Sequence, residues 1–263
     1  MDPTTTELVV DSDRLARRVL IGCVAAEILF VFLDYYVVQW TSIGALRRMF
    51  NIAREDGVAS WFGTVQTLMA GLTLGLIYLA VKKRPGTRRV ATGWLVLSVF
   101  FVYMAVDDGV QLHERLGSIV AAVIGPSLEF FPSYPWQLIL LPFFAALGVF
   151  MLVFLWRQLE APSSKLLLLA AISMQSFAVG LDFFEGLDAA HRWNPYTAIS
   201  SRYDLELWTQ ARFSETAYTT LQHFSRSIEE ALEMLAISIC WFLFLRQLGV
   251  VVGELRIRFS TKA

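Results

Sequence analysis

The side chains best suited to chemistry in this sequence are carboxylates in four short stretches. These are REDG (Arg54–Gly57), VDDGVQLHERLG (Val106–Gly117), GLDFFEG (Gly180–Gly186) and SIEEALEM (Ser227–Met234). At helical spacing Glu229 and Glu233, four apart, share a face, and so do Asp182 and Glu185, three apart. Asp107, Gln111 and Glu114 form one stripe if their helix continues that far. Many carboxylates, one well-placed imidazole in His113 and no thiolate make an oxygen-rich donor set. Such a set suits Ca, Mg, Mn or Fe, while Zn is served by His plus carboxylates less often. The expected metal ligands are therefore Asp107, Asp108, His113, Asp182, Glu185, Glu229 and Glu233, with Asp108, Glu185, Glu229 and Glu233 as the central four. His113 and Glu114 are the candidates for proton transfer. Glu55, Trp61, Gln111, Arg226 and Glu230 are expected to support them.

Other chemistries lack their signatures. Cys23 and Cys240 lie in apolar runs and no CxxC occurs, so neither a thiolate zinc site nor a disulfide framework is suggested. Glu-x-x-His, His-Glu-x-x-His, Gly-x-Ser-x-Gly and the phosphate-binding Gly-x-x-x-x-Gly-Lys pattern are all missing.

The elements that must carry these residues are membrane helices. Of 263 residues, 56% are hydrophobic and only 17% charged, and the mean hydropathy is +0.54. The net charge of -1 offers no basic surface for nucleic acid. The fold expected is all-α, a polytopic bundle of six spans at Val19–Gln39, Ser60–Val81, Ala91–Gly109, Trp136–Trp156, Leu166–Glu185 and Ser227–Leu245. Residues 1–18 and 246–263 then read as tails. The acidic, polar N-terminal stretch is unlike a signal peptide, so the first run is expected to be a retained span.

Charge orients the chain. Two short connections, Lys82–Arg89 and Arg157–Lys165, are basic, and the three longer ones hold Trp, Tyr, Pro and acids. With both termini in the cytoplasm, 14 of the 22 basic residues, including every lysine, lie inside. Interfacial helices are expected within Ser42–Glu55 and within the 186–226 connection, the latter with Trp208 and Tyr218 as anchors. Gly63, Gly71 and Gly75 suggest close packing of the second span.

In this topology the acids crowd one leaflet. Glu233 stands 13 residues before Arg246, about 20 Å from the cytoplasmic edge and about 10 Å below the outer one. Glu27, near mid-span, is the deepest acid, and Asp34 lies in the outer third of the first span. Plainer readings exist for some of them. Glu229 and Glu230 open the predicted last helix, where the dipole favours negative charge. Glu55 and Asp56 read as solvated loop charges, and His191 and His223 as surface residues. Asp107, Asp108, Asp182 and Glu185 sit near helix C-termini and need a cationic compensator, either a metal or Arg115 and Arg226.

The same residues carry a resemblance. Asn51, Glu55, Trp61 and Phe62 are followed by Asp107, Asp108, Leu112, His113 and Glu114, then Gly180, Asp182 and Glu185, and last Glu229, Glu230, Glu233 and Met234. In order and spacing this resembles a family of bacterial multi-span membrane proteins of uncharacterised function, over about Asn51 to Leu245. The family more often has glutamate where Asp108 stands, which keeps the carboxylate and shortens its reach. The resemblance implies a plasma-membrane protein and brings no activity with it.

Three functions fit these readings. The first is a metal-dependent enzyme at the outer leaflet, acting on a lipid or another membrane-soluble substrate. The second is a cation or proton-coupled transporter or channel, although transporter sites lie nearer the midplane. The third is a non-catalytic sensor or assembly subunit.

Overall fold

A computed structural model describes residues 5–124, 130–253 and 255–260. Among the described residues there are ten helices: α1 (Ser12–Trp40), α2 (Gly44–Phe50), α3 (Val58–Lys82), α4 (Arg88–Val110), α5 (Leu112–Ile124), α6 (Pro135–Gln158), α7 (Pro162–Glu185), α8 (Pro195–Tyr203), α9 (Glu206–Phe213) and α10 (Ala217–Val252). Six of them, α1, α3, α4, α6, α7 and α10, are long and apolar enough to cross a membrane.

Local chemistry sets the helix starts. Asp11 accepts from the Arg14 amide at 3.1 Å at the head of α1, and Thr216 accepts from the Thr219 amide at 3.2 Å at the head of α10. α6 and α7 open on Pro135 and Pro162, whose missing N–H costs nothing in a first turn. Four spans lie within about four residues of the sequence-based bounds, and α1 begins at Ser12, well before the expected Val19. The sixth differs: α10 begins at Ala217 instead of Ser227 and runs to Val252.

The connections hold more helix than expected. α2 falls inside the predicted interfacial stretch, and the 186–226 segment folds as α8 and α9 plus the first turns of α10. Trp208 is exposed as an anchor should be, but Tyr218 belongs to α10 and packs edge-on against Tyr196 at 6.0 Å. β1 (Thr5–Val10) pairs antiparallel with β2 (Leu255–Ser260), with Val10 opposite Leu255. This two-stranded ribbon holds both chain ends at one end of the bundle, as an even number of spans requires.

The apolar core fills the half of the bundle nearest that ribbon. Trp94, Leu97, Leu74, Leu168 and Phe244 are almost fully buried there. α3 and α4 come close at Gly71, where an added Cβ would lie 3.0 Å from the Val102 backbone nitrogen. Ser98 on α4 donates to the Gly71 carbonyl at 2.9 Å, and Gly75 stands over the same hydroxyl. Gly63 is looser, with only ordinary contacts to Met234 and Asp108. The candidate acids Asp107, Asp182, Glu185, Glu229 and Glu230 lie toward the other end of the bundle.

Candidate acid-lined pocket

α4 ends where the candidate residues begin. Gln111 takes a left-handed conformation (φ 55°), so α5 starts afresh and the expected Asp107–Gln111–Glu114 stripe does not form. The break lets Asp107 turn back on the new helix. Its Oδ1 accepts from the His113 amide at 2.8 Å, and its Oδ2 lies 2.9 Å from His113 Nδ1. Asp107 is 2% exposed, and both its oxygens are taken up in holding His113. The edge of the His113 ring packs on Trp136 at 4.7 Å. Burial disfavours the imidazolium, but the Asp107 hydrogen bond, with Glu114 and Glu55 nearby, outweighs it and raises the His113 pKa.

Beside this pair lies a polar pocket of about 240 Å³, lined by Ala53, Glu55, Glu114, Tyr134, Asp182, Glu185, Arg226, Glu229 and Glu230. Its wall comes from the α2–α3 link, α5, the residue before α6, the end of α7 and the middle of α10. Six lining residues are acids and one, Arg226, is a cation. Arg226 pairs with Glu185 on α7, not with Glu230 one turn along its own helix. The Tyr134 hydroxyl donates to the same Glu185 Oε1 at 2.9 Å. Burial, and then the adjacent Glu185 carboxylate, push the Tyr134 phenol above its ordinary range. Gln137 Nε2 donates to Asp182 Oδ2 at 2.7 Å, while Gln137 Oε1 is buried without a donor. Gly186 lets this wall close, since a Cβ there would run into Ser133 Oγ and Tyr134.

The earlier start of α10 removes the helix-capping account of Glu229 and Glu230. They lie more than three turns inside the helix, and the dipole acts only over the first turn. Glu55 is likewise not a plain loop charge. It lines the pocket, and its pKa is raised by loss of water and then by Glu114, against smaller opposing effects from Gln111 and His113. Its neighbour Asp56 does fit the plain reading. Arg54 and Arg48 hold its exposed carboxylate well below the usual range.

Of the four central ligands expected, Glu185 and Glu229 reach the pocket wall. Asp108 and Glu233 are not among the residues that line it. Asp108 Oδ2 accepts from Thr64 Oγ1 at 2.5 Å, and Glu233 Oε1 accepts from Gln175 Nε2 at 2.9 Å. Trp61 is 67% exposed and borders a separate open groove with Arg48, Met49 and Asp56, so it does not support the acids. Arg115 caps α4 by donating to the Val110 carbonyl at 2.8 Å. His223 is no surface residue either. It sits in α10, 3.1 Å from the fully buried Asp34, which also accepts from Ser227.

Reasoning from the sequence passed over the neutral partners, Tyr134, Gln137, Gln175 and Thr64. Their only signal is a polar side chain in or beside an otherwise apolar window. It also passed over Asn194, which is 1% exposed. Asn194 caps α8 through the Tyr196 and Thr197 amides and donates to the Leu187 and Asp188 carbonyls. That ties the connection next to the pocket to the end of α7.

The donors are hard oxygens, as a Ca, Mg or Mn site requires. Among the described residues, however, no three His, Cys, Asp or Glu side chains converge closely enough to chelate one ion. The acids line a space and do not form a ligand cage.

No curated protein and no solved structure matches the chain. A family model does match, described as a domain of unknown function, DUF8692, over residues 20–248. That range takes in the pocket, the His113–Asp107 pair and the six spans apart from the first residues of α1 and the last of α10, and the chain belongs to this uncharacterised family.

Proposed function

We propose that this membrane protein binds a hydrated divalent cation in its acid-lined pocket and works as a cation-dependent enzyme on a lipid or another membrane-soluble substrate. The observation that carries the reading is the pocket wall, with six carboxyl side chains and a single arginine around about 240 Å³. That volume equals about eight waters of liquid density. It suits an ion that keeps part of its water shell, as Mg²⁺ does. Waters of the ion would bridge to walls too far apart for direct chelation. Ca²⁺ and Mn²⁺ follow Mg²⁺ in order of fit. Zn²⁺ and iron, which need several direct ligands, fit least.

His113 supplies the second part of the reading. Asp107 fixes its ring through Nδ1, and among the described residues Nε2 has no partner. That arrangement suits a proton-transfer group next to a cation site. The basic short connections support a cytoplasmic position for the ribbon end, which puts the pocket on the extracytoplasmic side.

The test uses Mn²⁺ as the probe, read by electron paramagnetic resonance on full-length protein in lipid nanodiscs. Saturable Mn²⁺ binding, competed by Mg²⁺, is expected in the native protein. It should weaken at least tenfold in Glu229→Gln and Glu230→Gln and stay unchanged in Glu215→Gln, an exposed acid outside the pocket. Glu206 is not a neutral comparison, because its carboxylate accepts from the Ala217 amide at the head of α10. Equal Mn²⁺ binding in all variants would overturn the reading.

A further inference from the structure

Glu27 takes no part in this pocket. It lies on α1, near the middle of the apolar window Ser12–Val37, and is 5% exposed. Three side chains face it. Cys23, the one titratable group among them, is one turn away on α1, and its thiol is buried beside Ser238 and Gln66. Ser238 Oγ on α10 donates to Glu27 Oε1 at 2.6 Å. Gln66 Nε2 on α3 donates to the same oxygen at 3.2 Å and also to Ser238 Oγ. Among the described residues no lysine, arginine or histidine pairs with Glu27.

Two facts at this spot conflict with an ionised Glu27. A lone carboxylate at mid-membrane is expensive unless a cation meets it, and none does. Gln66 is 2% exposed, yet its carbonyl oxygen Oε1 is buried with no donor. A carboxylic acid and a carboxamide pair through two complementary bonds, amide N–H to acid oxygen and acid O–H to amide oxygen. The first of these is present. The second requires a proton on Glu27, which removes the charge and supplies a donor for the Gln66 carbonyl together.

We propose that Glu27 is a proton-binding site in the middle of the bilayer, occupied at neutral pH, with its O–H donated to Gln66 Oε1. The site joins α1, α3 and α10 through neutral hydrogen bonds. Cation binding at the pocket plays no part in it, so either assignment can fail without the other.

Infrared difference spectra of the full-length protein in nanodiscs, native minus Glu27→Gln, test this. At neutral and at mildly alkaline pH, the native protein is expected to show a protonated-carboxyl C=O band that the variant lacks and that moves down in D₂O. If Glu27→Gln does not fold, native minus Gln66→Leu replaces it. There the same C=O band should move to higher frequency as its acceptor is lost. A carboxylate band in place of the C=O band, or no carboxyl difference at all, would overturn the assignment.

Discussion

Asp107 grips His113 at two points, the backbone amide at 2.8 Å and ring Nδ1 at 2.9 Å, across the break between α4 and α5. One carboxylate thus caps a helix and sets an imidazole. Asp107→Ala is expected to cost about 1–3 kcal/mol, because it leaves two polar groups without their acceptor. The midpoint of chemical or thermal unfolding in nanodiscs measures this.

The pH dependence of that pair has a definite sign. The folded-state pKa of His113 is raised, so the contribution of its protonated form is complete below the ordinary histidine value of about 6.5. It is lost as pH rises through the raised value. The stability gap between native protein and His113→Gln should therefore shrink from acidic to alkaline pH. Histidine-labelled NMR should show His113 titrating above the ordinary histidine value. A gap that widens with pH would contradict the geometry.

Crowded acids without a bound ion repel one another. In cation-free buffer, Glu230→Gln should leave the protein equally or more stable, by up to about 1 kcal/mol, because it replaces an acid on a crowded pocket wall by a neutral group of the same shape. Adding Mg²⁺ should raise the unfolding temperature of the native protein and close the difference. A variant that is less stable in both conditions would point to a structural role for Glu230.

Arg226 and Glu185 join α10 to α7 with Tyr134 as a third member. Glu185 is 9% exposed and Arg226 40%, so the coupling lies between surface and buried values, about 1–2 kcal/mol. A double-mutant cycle of Arg226→Gln and Glu185→Gln should return that coupling. Additive effects would mean that the pair does not persist in the membrane.

Close helix contact predicts a contrast between glycines. Gly71→Ala drives a methyl into the Val102 backbone and should cost about 1–3 kcal/mol. Gly148→Ala meets nothing within 4 Å and should cost nothing. Equal effects would mean that α3 and α4 are not packed as described.

Much of this protein was legible in its sequence because hydrocarbon is an unforgiving solvent. A backbone in it must be helical, and an apolar run long enough to cross it shows in composition alone. The six spans, and the gathering of acids toward one end, followed from that. Periodicity could not reveal where a helix breaks or runs on. Gln111 adopts a left-handed turn that its residue type does not announce, and this brings the Asp107 carboxylate onto His113. α10 extends ten residues beyond its apolar stretch, because residues 217–226 pack on α8 and α9 and need no lipid-like composition. Those turns moved Glu229 and Glu230 from a helix mouth to its interior. Partner choice was hidden for the same reason. Gln137, Gln66 and Tyr134 meet their acids across 45, 39 and 51 residues of sequence. Residue types gave the acids and their depth, and only the packing of helices distant in sequence decided which acid meets an arginine, which meets an amide, and which faces open space.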